Sequence, residues 1–192
     1  MYELEVCLLA GPVDEEFVED NPVVSRTIRI RGTQTLEQLH DAIFKAFDRW
    51  DEHMYEFQVG GKGPMDRKAR RYTLGHEKGI SGGGEKGAGL VSRAAIDSLG
   101  LKVGDAFGYW FDFGDDWWHQ INVKAIQDEN SGGKYPRCTD KVGKSPPQYP
   151  DLDDEDEEDE DDEDEDDEFD DDDDEEDDDD DEEDEESEDD RV

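Results

Sequence analysis

The sequence predicts an α+β fold, a mostly antiparallel sheet packed on one main helix, on three observations. Residues 2–8 and 24–31 alternate apolar and polar side chains, the period of half-buried strands. Residues 35–47 repeat apolar side chains at helical spacing behind a capping signature. Residues 107–123, FGYWFDFGDDWWHQINV, alternate again on both sides of a turn and read as a hairpin.

In chain order, Tyr2, Leu4, Val6 and Leu8 form the inward set of the first strand, with Cys7 read as a small core residue. Residues 11–22 are a polar, acidic connection. In the second strand Ile28 and Ile30 face inward and Arg29 and Arg31 outward. Thr35 with Gln38 three residues later opens the helix, and Leu36, Leu39, Ile43 and Phe47 form its buried stripe. His40 sits at the stripe edge, where a backbone or water partner satisfies it. Tyr55, Phe57 and Val59 alternate with Glu56 and Gln58 in a third strand, stopped by Gly60-Gly61. Residues 62–90 read mostly as loop. Within them, 75–89 hold seven glycines in fifteen residues, which marks a mobile insertion. Ser92 is placed to cap a short helix ending at Gly100.

In the hairpin, Phe107, Tyr109, Phe111 and Phe113 share one parity with Ile121 and Val123. A three-residue turn, Gly114-Asp115-Asp116, pairs Phe113 with Trp117 and Phe111 with His119 on the core face. Asp112 then falls on the opposite face, beside Trp110 and Trp118. Residues 134–150 contain four prolines without periodicity and are expected to run as an extended strap.

Charge divides the chain at residue 150. Residues 151–192 carry 37 of the 61 acidic side chains and one base, Arg191, a net of −36; residues 1–150 carry 24 acidic and 19 basic groups, a net of −5. The first part is long enough to bury one core. The second has almost nothing to bury and repels itself, so a disordered acidic tail is expected. Such a tail solubilises, or docks basic proteins such as histones and ribosomal proteins. Weak divalent-ion binding and DNA mimicry are further readings, and each is sensitive to salt. Direct DNA binding by the chain is not expected, because phosphate contacts need a surplus of bases on one face. Two cysteines without a CxxC pair exclude a thiolate zinc site and fit a reducing compartment. No stretch approaches the roughly eighteen apolar residues of a span, and the first residues lack a leader pattern, so a cytoplasmic protein, or a nuclear one in a eukaryote, is expected. No cofactor is implied.

Four motifs, LEQLHDAIFKAF, WDEHMYEF, YWFDFGDDWWHQI, and YPRC followed by PPQYP, resemble in order the plasmid pRiA4b ORF-3-like domain. The resemblance covers about residues 1–150. It implies an α/β roll, a mixed sheet wrapped on a helix, and its pattern includes His40, His53, Asp112, Gly114, Asp115, Trp117 and His119. Members are often described as insertion-element passengers with a resolvase-like label. The chain departs from the pattern at Trp118, usually polar, in lacking a second cysteine after Cys138 and the acidic pair after the prolines, and in its acidic tail.

Several chemistries fail on context. Gly82, Gly84 and Gly87 spell GxGxxG without a preceding strand. Asp112-Phe113-Gly114 matches a kinase triad without the other kinase motifs. The resolvase label fails as well: Ser25, Ser81, Ser92 and Ser98 lie in strand, loop or cap contexts, and Arg70-Arg71-Tyr72 is a short basic patch rather than a DNA-reading helix. Two readings remain. One is a metal-dependent hydrolase-like site drawn from His40, His53, His119, Asp112, Asp115 and Asp116, since imidazole and carboxylate suit zinc, manganese or iron. The leading one is a non-enzymatic binding or adaptor module, in which Trp110 and Trp118 flank Asp112 and hold a protein or small-molecule ligand by stacking or cation–π contact. The candidate binding residues are His40, His53, Trp110, Asp112, Asp115, Asp116, Trp117, Trp118 and His119.

Overall fold

The computed structural model describes residues 1–75, 89–128 and 132–149, all within the unit Met1–Glu155. Its frame is an eight-stranded mixed sheet in the order β5-β4-β3-β6-β7-β1-β2-β8. The strands are β1 (Tyr2–Ala10), β2 (Ser25–Ile30), β3 (Tyr55–Val59), β4 (Arg70–Thr73), β5 (Gly89–Leu90), β6 (Ala106–Phe111), β7 (Trp117–Ile126) and β8 (Arg137–Val142). All neighbours are antiparallel except β4 and β5. Among the described residues no helix is long and apolar enough to cross a membrane.

Helix α2 (Leu36–Ala46) covers one face and buries Leu36, Leu39, His40, Ile43 and Ala46. Its capping box is complete: Gln38 N donates to Thr35 Oγ1 at 3.3 Å and Thr35 N to Gln38 Oε1 at 3.0 Å. Beneath it lie the alternate residues of the central strands, Leu4, Val6, Ile28, Ile30, Phe57, Phe107, Tyr109, Phe111, Trp117 and Ile121. Burying each large side chain contributes on the order of 2 kcal/mol. Arg26 shares this face, opposite Val6, and is fully enclosed. Its guanidinium donates to Ala46 O, Ser25 O and Val142 O at 2.7–2.8 Å and to Ser145 Oγ at 2.7 Å. One cation thereby ties the end of α2 to β8 and the strap.

Several expectations need correction. The acidic connection contains a short helix, α1 (Glu15–Asp20), capped by Asp14, whose Oδ1 accepts from Phe17 N at 2.6 Å. Within residues 62–90, read mostly as loop, Arg70–Thr73 and Gly89–Leu90 extend the sheet. These strands are too short to show alternation. Residues 76–88, most of the glycine-rich segment, lie outside the described residues, as does the acidic tail. The helix expected from Ser92 is a single 3-10 turn, Ile96–Leu99, which Gly100 ends in the left-handed conformation as anticipated. The strap begins with an edge strand, β8, paired with β2. Cys7 faces away from the core, half-exposed, with Asn122 Nδ2 at 3.8 Å.

The hairpin keeps its parity but not its register. Phe111 pairs with Trp117, Trp110 with Trp118, Tyr109 with His119 and Phe107 with Ile121. The turn therefore has five residues, Asp112–Asp116, instead of three. Asp112 and Asp116 take positive φ of 53° and 54°, a region Asp tolerates better than most residues. Asp112 Oδ1 accepts from Gly114 N at 3.0 Å, and Asp116 N closes the loop on Asp112 O at 2.8 Å. The shift of two residues leaves each paired side chain on its expected face. Phe113, expected in the core, leaves the strand and packs on Trp110 at 4.1 Å between ring centroids.

Candidate functional site

The nine candidate residues fall into three places. His40 belongs to the core. Its ring stacks on Tyr55 at 3.6 Å, and Nδ1 lies 2.8 Å from Tyr109 Oη. Burial lowers its pKa to about 4, so the imidazole is neutral near pH 7. Trp117 and His119 are also interior. Trp117 carries the Arg49 guanidinium 3.6 Å over its ring, and His119 meets Phe47 edge-on at 4.9 Å. Burial, then the nearby Arg49 charge, depresses His119 to about 3. Among the described residues neither imidazole nitrogen of His119 meets a partner in good hydrogen-bonding geometry, and the polar groups that approach it are the Trp117 and Tyr109 backbones. Arg49 itself is lowered to about 10 by burial.

Trp110 and Trp118 occupy the helix-free face, in one row with Glu56. Their indoles stack on each other at 4.7 Å and 10°. Phe113 covers Trp110 from a second side, so the pair forms a stack with Trp118 at its end rather than two jaws around a ligand. Beside the tryptophans this face is polar: Glu56 accepts from Gln58 Nε2 at 2.6 Å and pairs with Arg71, while Gln58 Oε1 accepts from Met65 N at 2.7 Å.

Asp112 does not join the tryptophans. Its positive φ turns the carboxylate to the other side, where Oδ2 lies 3.5 Å from His53 Nε2. The His53 ring stands edge-on to Phe111 at 6.1 Å. The same Nε2 lies 2.7 Å from Tyr149 Oη and 3.3 Å from Asp51 Oδ2. Tyr149 Oη donates to Asp51 Oδ2 at 2.7 Å. That hydrogen bond raises the Tyr149 pKa to about 12, with the charges of Asp51, Asp112 and Asp115 adding to it. Asp115 contributes charge to this junction, and exposed Asp116 closes the turn. Trp50 stands at its rim, 71% exposed, with Tyr149 edge-on at 5.6 Å. Gln148, buried below, accepts from Trp50 N and Asp51 N at 3.1 Å and donates to Asp51 O at 2.8 Å.

The histidine–aspartate cluster is thus divided. His40 and His119 sit in separate aromatic packings, while His53 and Asp112 meet at the rim with Asp51. Among the described residues no group of three His, Cys, Asp or Glu side chains is placed to hold a metal ion.

A family model described as plasmid pRiA4b ORF-3-like protein matches residues 16–172, most of the chain. The chain belongs to the plasmid pRiA4b ORF-3-like family. The match begins later than the expected residue 1 and runs on into the acidic segment. A relative, uncharacterized protein y4hQ of Sinorhizobium fredii, is 29% identical over 138 residues. That alignment covers 66% of this chain and 59% of the relative, so the chain spans about three fifths of that protein's length. A crystal structure of the protein of unknown function MM3350 from Methanosarcina mazei superposes with a TM-score of 0.54 at 22% identity, over 73% of this chain and 68% of that one. This likeness concerns the fold alone.

Three pRiA4b ORF-3-like motifs meet at the rim: WDEH supplies Trp50, Asp51 and His53, FDFGDD supplies Asp112 and Asp115, and PPQY supplies Gln148 and Tyr149. Sequence reasoning missed Arg49, Trp50, Asp51, Gln148 and Tyr149. The available signal was a tryptophan placed among charges just beyond the helix end, where packing alone gives it no buried side.

Proposed function

We propose that this pRiA4b ORF-3-like chain is a non-enzymatic cytoplasmic binding or adaptor module, with its contact surface at the rim built by Trp50, Asp51, His53, the turn Asp112–Asp116 and Tyr149. One observation carries the reading: Trp50, among the largest apolar side chains, is held in water by Tyr149 beside the convergent carboxylates. Ordered, exposed aromatic rings of this kind are the usual anchors of protein contacts. The ligand, protein or small molecule, enters beside the FDFGDD turn. The acidic segment 151–192 is a second, salt-sensitive arm for basic proteins. The two unpaired cysteines fit a reducing compartment.

A photocrosslinking side chain placed at position 50 tests the surface, with the same group at exposed Val103 as control. Discrete partner adducts from position 50 and none from 103 are expected. Equal labelling from both positions, or none from 50, overturns the reading.

A further inference from the structure

We infer that the partner of this rim is a basic peptide segment, which lays a lysine or arginine side chain against the exposed face of Trp50 within the field of Asp51, Asp112 and Asp115. The inference rests on the binding-module reading and adds the chemistry of what is bound.

Trp50 offers the aromatic half of a cation–π contact. It is 71% exposed and meets Tyr149 at 80° between ring planes, so Tyr149 does not stack flat on the indole and most of that ring faces solvent. Indole is the best aromatic partner for a cation. The acidic half comes from two separate elements, Asp51 after α2 and Asp112 with Asp115 in the hairpin turn. Asp51 Oδ2 takes the Tyr149 hydroxyl at 2.7 Å, and Asp112 Oδ2 lies 3.5 Å from the His53 ring that meets the same hydroxyl. Both carboxylates thus gather around the ring that touches Trp50, with Asp115 three residues on in the same turn.

That field is incompletely compensated within the described residues. His53 is the basic side chain within 4 Å of Asp51 and Asp112, and it is charged only when protonated. Arg49, buried with its guanidinium 3.6 Å over Trp117, offsets part of the Asp112 and Asp115 charge from the core side and is not exposed at the rim. The Asp115 carboxylate takes no hydrogen bond from a described residue. An incoming guanidinium would thus find one carboxylate free and a second, Asp51, with Oδ1 unengaged. Arg49 on Trp117, with Asp112 and Asp115 acting on its charge, is the same combination already used inside the fold.

The rim suits a peptide cation better than an apolar or neutral planar group. An apolar partner would leave these carboxylates facing it without water or a counter-charge, which costs free energy. A neutral planar group would stack on Trp50 and draw nothing from the carboxylates.

The test uses the full chain, with acetyl-Gly-Arg-Gly-amide and its neutral citrulline counterpart as probes. The readout is the Trp50 indole N–H resonance, assigned by its loss in Trp50→Phe. Reading one indole separates binding at the rim from peptide held by the acidic segment. The arginine peptide should shift this resonance saturably and the citrulline peptide should not. Asp115→Asn should weaken the effect about fivefold, the scale of one exposed cation–π or charge contact. Equal shifts from both peptides, an unmoved Trp50 resonance, or an Asp115→Asn variant that binds as wild type overturns the inference. If position 50 still crosslinks a partner in that event, the binding-module reading survives and only the basic partner is lost.

Discussion

The Gln148 side chain brackets the backbone of Asp51, accepting from its N–H at 3.1 Å and donating to its carbonyl at 2.8 Å. A side-chain amide here does what a neighbouring strand would do, and it also takes the Trp50 N–H. Gln148→Ala leaves these backbone groups unpaired in a site where Gln148 is 3% exposed. The expected loss is about 2 kcal/mol. Urea titration should show it, together with faster amide exchange at Trp50 and Asp51. Unchanged exchange at both amides would mean the strap does not hold the rim.

The difference between what the sequence disclosed and what it hid is physical. Alternation and the capping box are local, so β1, β2, α2, β3 and the faces of the hairpin were readable from side-chain order alone. The turn length was not, because it depends on Asp112 and Asp116 accepting positive φ, and the three-residue and five-residue turns share one parity. That difference decided whether Asp112 sat with the tryptophans or with His53. Gln148 and Tyr149 were unreadable for another reason: their partners are nearly one hundred residues away and no periodicity points to them. β8 was masked by the prolines on either side of it and by its exposure, since an edge strand needs no apolar alternation.

Arg26 supports a second long-range link, between α2 and β8. Replacing it by Met keeps much of the volume but strands the carbonyls of Ala46, Ser25 and Val142. A loss of about 3–5 kcal/mol is expected from breaking such a buried charged network. Arg26→Lys should recover little, because an ammonium cannot reproduce the forked geometry. Equilibrium denaturation of the two variants measures both statements. Near-wild-type stability in Arg26→Met would show that the network contributes little.

Gly11 is a packing constraint at the end of β1. A Cβ at this position would lie 2.1 Å from Trp117 Cε3, inside a ring that has no room to retreat under Arg49. Gly11→Ala should therefore cost about 1–3 kcal/mol by overpacking. It should also move the near-ultraviolet dichroism of the tryptophans. A neutral result would mean that the chain beyond β1 shifts freely.

The two core histidines set a pH dependence whose sign can be worked out. His40 is lowered to about 4 and His119 to about 3, whereas both titrate near 6.5 once exposed. Between these limits the unfolded chain binds protons that the folded chain refuses, so stability rises with pH across that window. Their contribution is complete above about pH 7 and drains away as pH falls from 6.5 toward 4. Each neutral, buried imidazole gives a slope of about 1.4 kcal/mol per pH unit within the window. Urea midpoints at pH 7.5 and pH 5.0 should therefore differ clearly. Asp48 and Asp51, whose pKa values are lowered by hydrogen bonds to Ser145 and Tyr149 respectively, add a loss of the same sign only at still lower pH. His119→Phe separates the contributions, since it removes one titrating group without adding a charge. Its stability should fall less steeply over the same range, whatever its stability at pH 7.5. The imidazole resonances of His40 and His119 should stay those of the neutral ring down to pH 5. Titration of either near 6.5 in the folded protein would contradict the burial that holds them neutral.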